Sequence, residues 1–174
     1  MQSKKISKLL IVFSAILITV NLLVPSVKAY AQTVMVEQVG NEFNEEVECL
    51  AQNIYFEAAK ESFEGKLAVA QVTLNRVNSG KFPGTVCGVV KQKDRINGVM
   101  VCQFSWFCNQ AYTRLVRNPY QWDESVIVAK KALTEPVVHA GLYNNKAMYY
   151  HANYINPGWH LTKVAQIGNH VFYR

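Results

Sequence analysis

The chain of 174 residues contains no Cys-x-x-Cys pair and no His-Glu-x-x-His motif. Those spacings bring ligands onto one zinc ion, so their absence argues against a zinc site and against a zinc peptidase. His151, His160 and His170 are nine and ten residues apart, which matches no helical ligand motif. We therefore expect no metal and no cofactor, and we assign these histidines structural or substrate-contacting roles.

The first 31 residues contain no acidic side chain. An apolar run from Leu9 to Val24 follows a basic start formed by Lys4, Lys5 and Lys8. The run ends near Ala29-Tyr30-Ala31, an Ala-x-Ala cleavage pattern, and the whole is typical of a secretory signal. Because the run is long, an uncleaved membrane anchor is the alternative. We predict that residues 1–31 are a signal peptide and that the remainder is exported to the periplasm, the cell surface or the cell wall.

Removal of residues 1–31 takes away four lysines and leaves 143 residues, so the formal charge falls from +6 to +2. Charge is unevenly distributed over these 143 residues. Residues 32–46 are acidic and have no apolar period, so we predict a solvated linker there and one domain over 47–174. From Cys49 onward, 14 lysines and arginines face seven acids. Such a domain suits an anionic polymer such as the cell wall. We expect no nucleic-acid binding and a monomer.

The sequence has no internal repeat and no low-complexity tract, which argues against a solenoid. Its apolar periods predict helices over 44–60, 63–78 and 124–134, the third capped by Asp123. Residues 85–92 fit a helix or a strand, and 93–98 fit a polar loop. Short strands or hairpins are predicted within 100–107, 147–154 and 164–173. Helices first and strands later indicate an α+β domain.

All four cysteines lie in the predicted exported part: Cys49, Cys87, Cys102 and Cys108. An even count in an oxidising compartment predicts two disulfides, which would leave no catalytic thiol and argues against a cysteine peptidase. Three pairings are possible. We favour the local pair Cys102–Cys108, which leaves Cys49–Cys87.

Glu57 is the candidate catalytic residue. If one helix continued through this region, Glu57, Glu61 and Glu64 would share a face. Like charges and burial would then raise the pKa of a carboxyl, and a carboxyl protonated near neutral pH can act as a general acid. The alternative is a solvated surface glutamate that pairs with Lys60, three residues on.

Several separated blocks carry a resemblance that covers residues from about Cys49 to Arg174. The blocks are Ile54-Tyr55-Phe56-Glu57-Ala58, Glu64-Gly65-Lys66-Leu67-Ala68-Val69-Ala70, Leu74-Asn75-Arg76-Val77, Phe82-Pro83-Gly84-Thr85-Val86, Cys102-Gln103-Phe104-Ser105-Trp106, Tyr149-Tyr150-His151-Ala152 and Ile167-Gly168-Asn169-His170-Val171-Phe172-Tyr173. In this order they resemble the cell wall hydrolase family typified by the spore cortex-lytic enzyme SleB.

The resemblance implies a lysozyme-like or lytic-transglycosylase-like α+β fold with Glu57 as the catalytic acid. It implies peptidoglycan glycan strands as substrate, cut between N-acetylmuramic acid and N-acetylglucosamine with a 1,6-anhydro product. The later carboxylates are few, namely Asp94, Asp123, Glu124 and Glu135, and none lies in a matching block. This scarcity mildly favours a route with one carboxylate, because hydrolysis by water usually needs two. A water-using N-acetylmuramidase is the nearest alternative.

A sugar-binding groove is predicted from aromatic and polar residues in the matching blocks, whose rings can face sugar rings while their polar tips meet hydroxyls. The candidates are Gln103, Ser105, Trp106, Tyr149, Tyr150 and His151, together with Glu61 and Glu64 from the predicted shared helix face. The alternative for the aromatic residues is that they belong to the core.

The chain departs from the family pattern at two places. The family commonly has Glu-Ala-Arg-Gly-Glu where this chain has Glu57-Ala58-Ala59-Lys60-Glu61. Asn109 stands where related sequences often have Asp. Lysine does not replace arginine in bidentate contacts, so a wall-binding module that has lost catalysis is a second hypothesis.

Overall fold

The computed structural model describes residues 3–109, 118–135 and 139–174, with the side chains of 3–27 and 140 left out. The chain divides into two compact units, Met1–Phe43 and Asn44–Arg174. Helix α1 (Ser3–Ala58) forms the first unit and continues into the second. Most of the predicted signal peptide consists of residues whose side chains the structure does not describe, so the signal peptide stays a prediction. Among the described residues, no helix has the length and apolar character to cross a membrane.

The N-terminal segment is more helical than the sequence suggested. We expected the first helix to begin at Asn44, after an acidic linker, but α1 begins at Ser3. Residues 28–45 are exposed, half of them are good helix formers and none is proline. Periodicity therefore missed a helix that backbone propensity supports.

Helix α2 (Phe63–Asn78) has the predicted bounds. The Ser62 hydroxyl accepts a hydrogen bond from the Gly65 amide at 3.2 Å, which caps the first turn. Gly80, at φ +68°, follows the last turn in a conformation that glycine adopts without strain. Most of the helix is buried, as its apolar residues on both sides predicted.

The other helices among the described residues are α3 (Val86–Val90), α4 (Ser105–Cys108), α5 (Pro119–Thr134) and α6 (Ala140–Asn144). The Glu46 carboxylate of α1 accepts from the first two amides of α3, at 2.6 and 3.1 Å. Helix α5 begins five residues before the predicted start, because Asn118 caps it and Pro119 occupies its first position. The prediction of an Asp123 cap was wrong.

In the part of the chain that the structure describes, five strands form two antiparallel sheets. β1 (Lys93–Ile96) pairs with β2 (Val99–Cys102), and Asn97 and Gly98 connect them with φ of 50° and 83°. The predicted loop over 93–98 was wrong, because Asn-Gly at the two central positions of a tight turn favours a hairpin. Residues 100–107, for which a strand or hairpin was predicted, contain the end of β2 and most of α4.

The second sheet has the order β3-β5-β4, from β3 (Tyr149–Ala152), β4 (Lys163–Ile167) and β5 (His170–Tyr173). The predicted strand over 164–173 is therefore two strands, which turn at Gly168 with φ +55°. The sheet carries residues of β3 and β5 to the end of α1.

The core of the second unit lies on both sides of α2. One cluster packs Leu50 and Ile54 of α1 against Val89 and Val128, and the other packs Val72 of α2 against Phe172. Each fully buried aliphatic side chain contributes about 1.5–3 kcal/mol relative to exposure. The two disulfides are Cys49–Cys87 and Cys102–Cys108, as predicted. The α+β class is confirmed.

Candidate active site

Glu57 lies in the last turn of α1, at the edge of the second sheet. Its side chain is half-buried, and the Tyr150 hydroxyl of β3 donates to Glu57 Oε2 at 3.3 Å. Burial raises the pKa of Glu57 above its ordinary value, although the hydrogen bond from Tyr150 and the charge of Arg76 act in the opposite direction. The alternative of a solvated surface glutamate is therefore excluded. The cause of the raised pKa is desolvation and not a neighbouring acid.

The charge of Arg76 in α2 acts on Glu57, and sequence reasoning did not select this residue. Its side chain is only 4 % exposed, and its Nε donates to the Met148 carbonyl at 2.8 Å. The guanidinium carbon lies 5.3 and 5.2 Å from the ring centroids of Phe82 and Phe104. These contacts fix a positive charge behind the carboxyl, where it stabilises the ionised form.

Tyr150 is held as a neutral hydrogen-bond donor. Burial and then the charge of Glu57 raise the pKa of Tyr150 well above its ordinary value. The side chain of Asn53 in α1 forms a hydrogen bond with Tyr150. The Asn53 amide also donates to Thr73 Oγ1 at 3.2 Å and accepts from Trp106 Nε1 at 3.3 Å. A buried amide with all of these partners orients the wall around Glu57.

Two hollows meet at Glu57. The larger hollow has a volume of about 840 Å³ and is lined by Tyr55, Phe56, Glu57, Ala59, Ser105, Trp106, Asn109, Gln121, Tyr150, His151, Ala152, Tyr154, Ile155 and His170. The smaller hollow has a volume of about 330 Å³ and is lined by Glu57, Arg76, Cys102, Gln103, Phe104, Ser105, Tyr149, Tyr150 and Trp159. Glu57, Ser105 and Tyr150 line both. Among the described lining residues, Glu57 is the only carboxylate.

The predicted groove residues divide between the hollows. Trp106 and His151 line the larger one, Gln103 and Tyr149 line the smaller one, and Ser105 and Tyr150 line both. Trp106 is almost wholly buried and stacks on Phe56 at 4.5 Å, so it also belongs to the core, as the alternative proposed. Both positions of departure from the family pattern, Ala59 and Asn109, lie on the wall of the larger hollow.

Glu61 and Glu64 do not share a helix face with Glu57, and that prediction was wrong. α1 ends at Ala58 and α2 begins at Phe63 after the Ser62 cap, so Glu61 lies in the turn between them. Glu64 is 71 % exposed, with one carboxylate oxygen 3.5 Å from His139 Nε2. Neither residue lines either hollow.

Glu61 instead joins two turns. Its carboxylate accepts from the Asn169 amide at 3.1 Å and from Asn169 Nδ2 at 2.9 Å. A Cβ at Gly168 would lie 2.0 Å from Glu61 Oε2, so a larger residue there would have to displace the Glu61 carboxylate. The contact ties the α1–α2 turn to the β4–β5 turn, and it thereby sets the distance between the end of α1 and β5.

The histidines have different surroundings. His151 Nδ1 contacts the Ala152 carbonyl at 2.9 Å and must donate to it, so neutral His151 accepts at Nε2 from the Tyr173 hydroxyl, also at 2.9 Å. Burial lowers the pKa of His170, with Glu61 opposing that effect and His151 adding to it, so His170 is neutral at pH 7. His160 is exposed and lines neither hollow. No group of three potential metal ligands occurs among the described side chains.

Comparisons with known proteins identify the family of this chain. The model of the family described as Cell Wall Hydrolase matches residues 60–173, beginning three residues after Glu57. A spore cortex-lytic enzyme of Oceanobacillus iheyensis is 31 % identical over 129 residues, which cover 73 % of this chain and 41 % of the relative. That of Bacillus subtilis is 29 % identical over 137 residues, or 74 % and 37 % of the two chains. The chain thus spans about two fifths of the length of these relatives.

Two solved structures share the fold. The catalytic domain of the Bacillus cereus SleB protein gives a TM-score of 0.53 at 24 % identity, over 75 % of this chain and 91 % of that domain. The catalytic domain of the germination-specific lytic transglycosylase SleB from Bacillus anthracis gives 0.53 at 24 % identity, over 74 % and 93 %. These similarities confirm the expected lysozyme-like α+β fold, and the family match confirms the resemblance found in the sequence. The chain belongs to the cell wall hydrolase family.

Proposed function

We propose that this chain is an exported peptidoglycan-cleaving glycosidase that cuts between N-acetylmuramic acid and N-acetylglucosamine as a lytic transglycosylase. One observation supports this most strongly: a half-buried carboxyl of raised pKa stands where two hollows meet, and no other described carboxylate lines either of them. A glycan strand that lies through both hollows would bring a glycosidic bond to Glu57. The B. anthracis protein with the same fold is a germination-specific lytic transglycosylase.

In the proposed mechanism Glu57 acts first as an acid. The raised pKa favours the protonated carboxyl, and in that form Glu57 donates its proton to the leaving oxygen of N-acetylglucosamine. Positive charge develops at C1 of the muramic acid as the bond breaks. The newly formed Glu57 carboxylate is then stabilised by the Tyr150 hydroxyl and by the buried charge of Arg76.

Glu57 acts next as a base. The C6 hydroxyl of the same muramic acid attacks C1, and the Glu57 carboxylate takes up the hydroxyl proton. The carboxyl regains its starting form, and the product is a 1,6-anhydro end with no net consumption of water. A single carboxyl is enough for both steps, which fits the lining of the two hollows.

The test is a digest of purified peptidoglycan by the exported chain, with the released fragments identified by mass spectrometry. Fragments lighter by one water molecule than simple hydrolysis products are expected. Fragments with an ordinary reducing end would instead identify a water-using N-acetylmuramidase. If the chain sediments with cell wall and releases no fragments, it is a binding module. This alternative is considered because Ala59, which replaces the arginine common in the family, lines the larger hollow.

A further inference from the structure

Trp159 is an exposed aromatic residue that its neighbours hold in place. It is 43 % exposed, in the segment between β3 and β4. Its ring meets Tyr149, His151 and Tyr173 edge to face, with centroids 6.3, 5.5 and 5.9 Å away. Such contacts are favourable by about 0.5–1.5 kcal/mol each and restrict the orientation of the ring. A large apolar surface is therefore presented to solvent in a fixed position.

The position of this ring connects it with Glu57. Trp159 and Tyr149 line the smaller hollow, and Glu57 lines the same hollow at its junction with the larger one. Tyr120, by contrast, is 76 % exposed and lines neither hollow. Aromatic rings with polar groups nearby suit sugars, because the ring covers the C–H face while the polar groups meet hydroxyls and acetamido groups. Gln103 and the Tyr149 hydroxyl provide polar groups in this hollow.

The two hollows differ in size in the way that the two sugars of peptidoglycan differ. The smaller hollow, about 330 Å³, lies at the low end of the range of roughly 300–1,000 Å³ that is usual for ligand pockets. The larger hollow, about 840 Å³, has amide side chains on its wall at Asn109 and Gln121. N-acetylglucosamine carries no further substituent, whereas muramic acid carries a lactyl ether and a peptide that need room and hydrogen-bond partners.

We propose that the smaller hollow is a subsite for one N-acetylglucosamine ring stacked on Trp159, and that the larger hollow takes the neighbouring muramic acid with its lactyl and peptide substituents. This assignment rests on the proposed function and gives it a direction. The ring on Trp159 is the leaving group, and its O4 receives the Glu57 proton. The muramic acid, whose C6 hydroxyl attacks, lies on the side of His170 and Gln121.

The test measures binding in a Glu57→Gln background, in which no cleavage disturbs the equilibrium. The probes are the N-acetylglucosamine trisaccharide and an N-acetylmuramoyl peptide, titrated by calorimetry against the full chain. Trp159→Ala should weaken trisaccharide binding about tenfold, which corresponds to about 1.4 kcal/mol. Trp159→Phe keeps a flat ring and should lose less. Tyr120→Ala is the control for removing an exposed aromatic residue and should bind as the parent does.

The muramoyl peptide distinguishes a subsite from a general loss of structure. The Trp159→Ala variant should bind the muramoyl peptide with an affinity within about twofold of the parent's, since this probe occupies the larger hollow. Equal losses for both probes, or unchanged trisaccharide binding in Trp159→Ala, would overturn the assignment, as would a parent chain that binds no muramoyl peptide. Cleavage of peptidoglycan by the native chain alongside such a result would leave the proposed function intact. A native chain that releases no fragments would contradict the function itself.

Discussion

Glu57 and Glu61 are four residues apart, yet their surroundings are opposite. Glu57, in the last turn of α1, receives one hydrogen bond at 3.3 Å and is desolvated enough that its pKa is raised. Glu61, in the following turn, has both oxygens satisfied by Asn169. A carboxylate with good donors on both oxygens is a structural link, whereas one that is buried with few donors holds its proton. The difference separates the acid from the residue that positions the walls around it.

The largest effect should come from Glu57→Gln. The amide is isosteric but has no proton to donate, so peptidoglycan cleavage should fall by at least about 10²–10⁴-fold. Fragment release measured by reducing-end and mass assays would show this. The matched control is Glu64→Gln, which removes a charge from an exposed side chain outside both hollows and should retain activity. Near-native activity in Glu57→Gln would contradict the assignment.

Gly168→Ala should give the largest loss of stability. The added Cβ would meet Glu61 Oε2 at 2.0 Å, and φ is +55°, so we expect a loss of about 2–4 kcal/mol in free energy of unfolding. Urea unfolding followed by circular dichroism measures it. In a Glu61→Ala background the clash is removed, and the same glycine substitution should cost only about 1 kcal/mol. Equal costs in the two backgrounds would show that the two turns are not coupled through Glu61.

Glu61→Ala alone should have a smaller effect. The substitution removes two hydrogen bonds to a partly exposed carboxylate, so the free energy of unfolding should fall by about 1–2 kcal/mol. If Glu61 acts only by holding the β4–β5 turn, cleavage should recover when the assay temperature is lowered in proportion to the fall in Tm. Activity lost at every temperature would instead support the sequence-based prediction that Glu61 contacts substrate.

The smallest expected effect is a change in how stability depends on pH. The folded chain holds the Glu57 proton more tightly than the unfolded chain, because the pKa is raised on folding. This stabilisation is complete below the ordinary glutamate pKa and is lost as pH rises through the folded pKa. Glu57→Gln lacks this dependence, so its stability relative to the native chain should increase from acidic to neutral pH. Parallel stability curves from pH 3 to 8 would contradict a raised pKa.

Local signals in the sequence were enough for several elements. Helix α2 has an apolar pattern and a serine cap next to each other, so its bounds followed from the sequence. The family blocks led to Glu57 and to six residues of the groove, all of which line the two hollows. The number of cysteines left three pairings open, and the one favoured for the short separation of Cys102 and Cys108 in the chain is the one observed.

Other features depend on contacts between distant segments or on turn chemistry that was overlooked. Arg76 influences Glu57 only because α2 packs beside β3, and Trp159 reaches the smaller hollow from a segment with no regular structure. The Asn97-Gly98 turn was present in the sequence and would have predicted the β1–β2 hairpin. The shared face of three glutamates failed because the Ser62 cap begins a new helix.

A titration of Glu57 itself tests the central claim most directly. Carbon-13 NMR of the side-chain carboxyl, assigned by its absence from Glu57→Gln, would give the pKa in the free chain. Our account predicts a midpoint above the ordinary glutamate value of 4.5, with a further rise when Arg76→Met removes the neighbouring charge. A midpoint at or below 4.5 would mean that the carboxyl is ionised before substrate arrives, and the acid role would have to be abandoned.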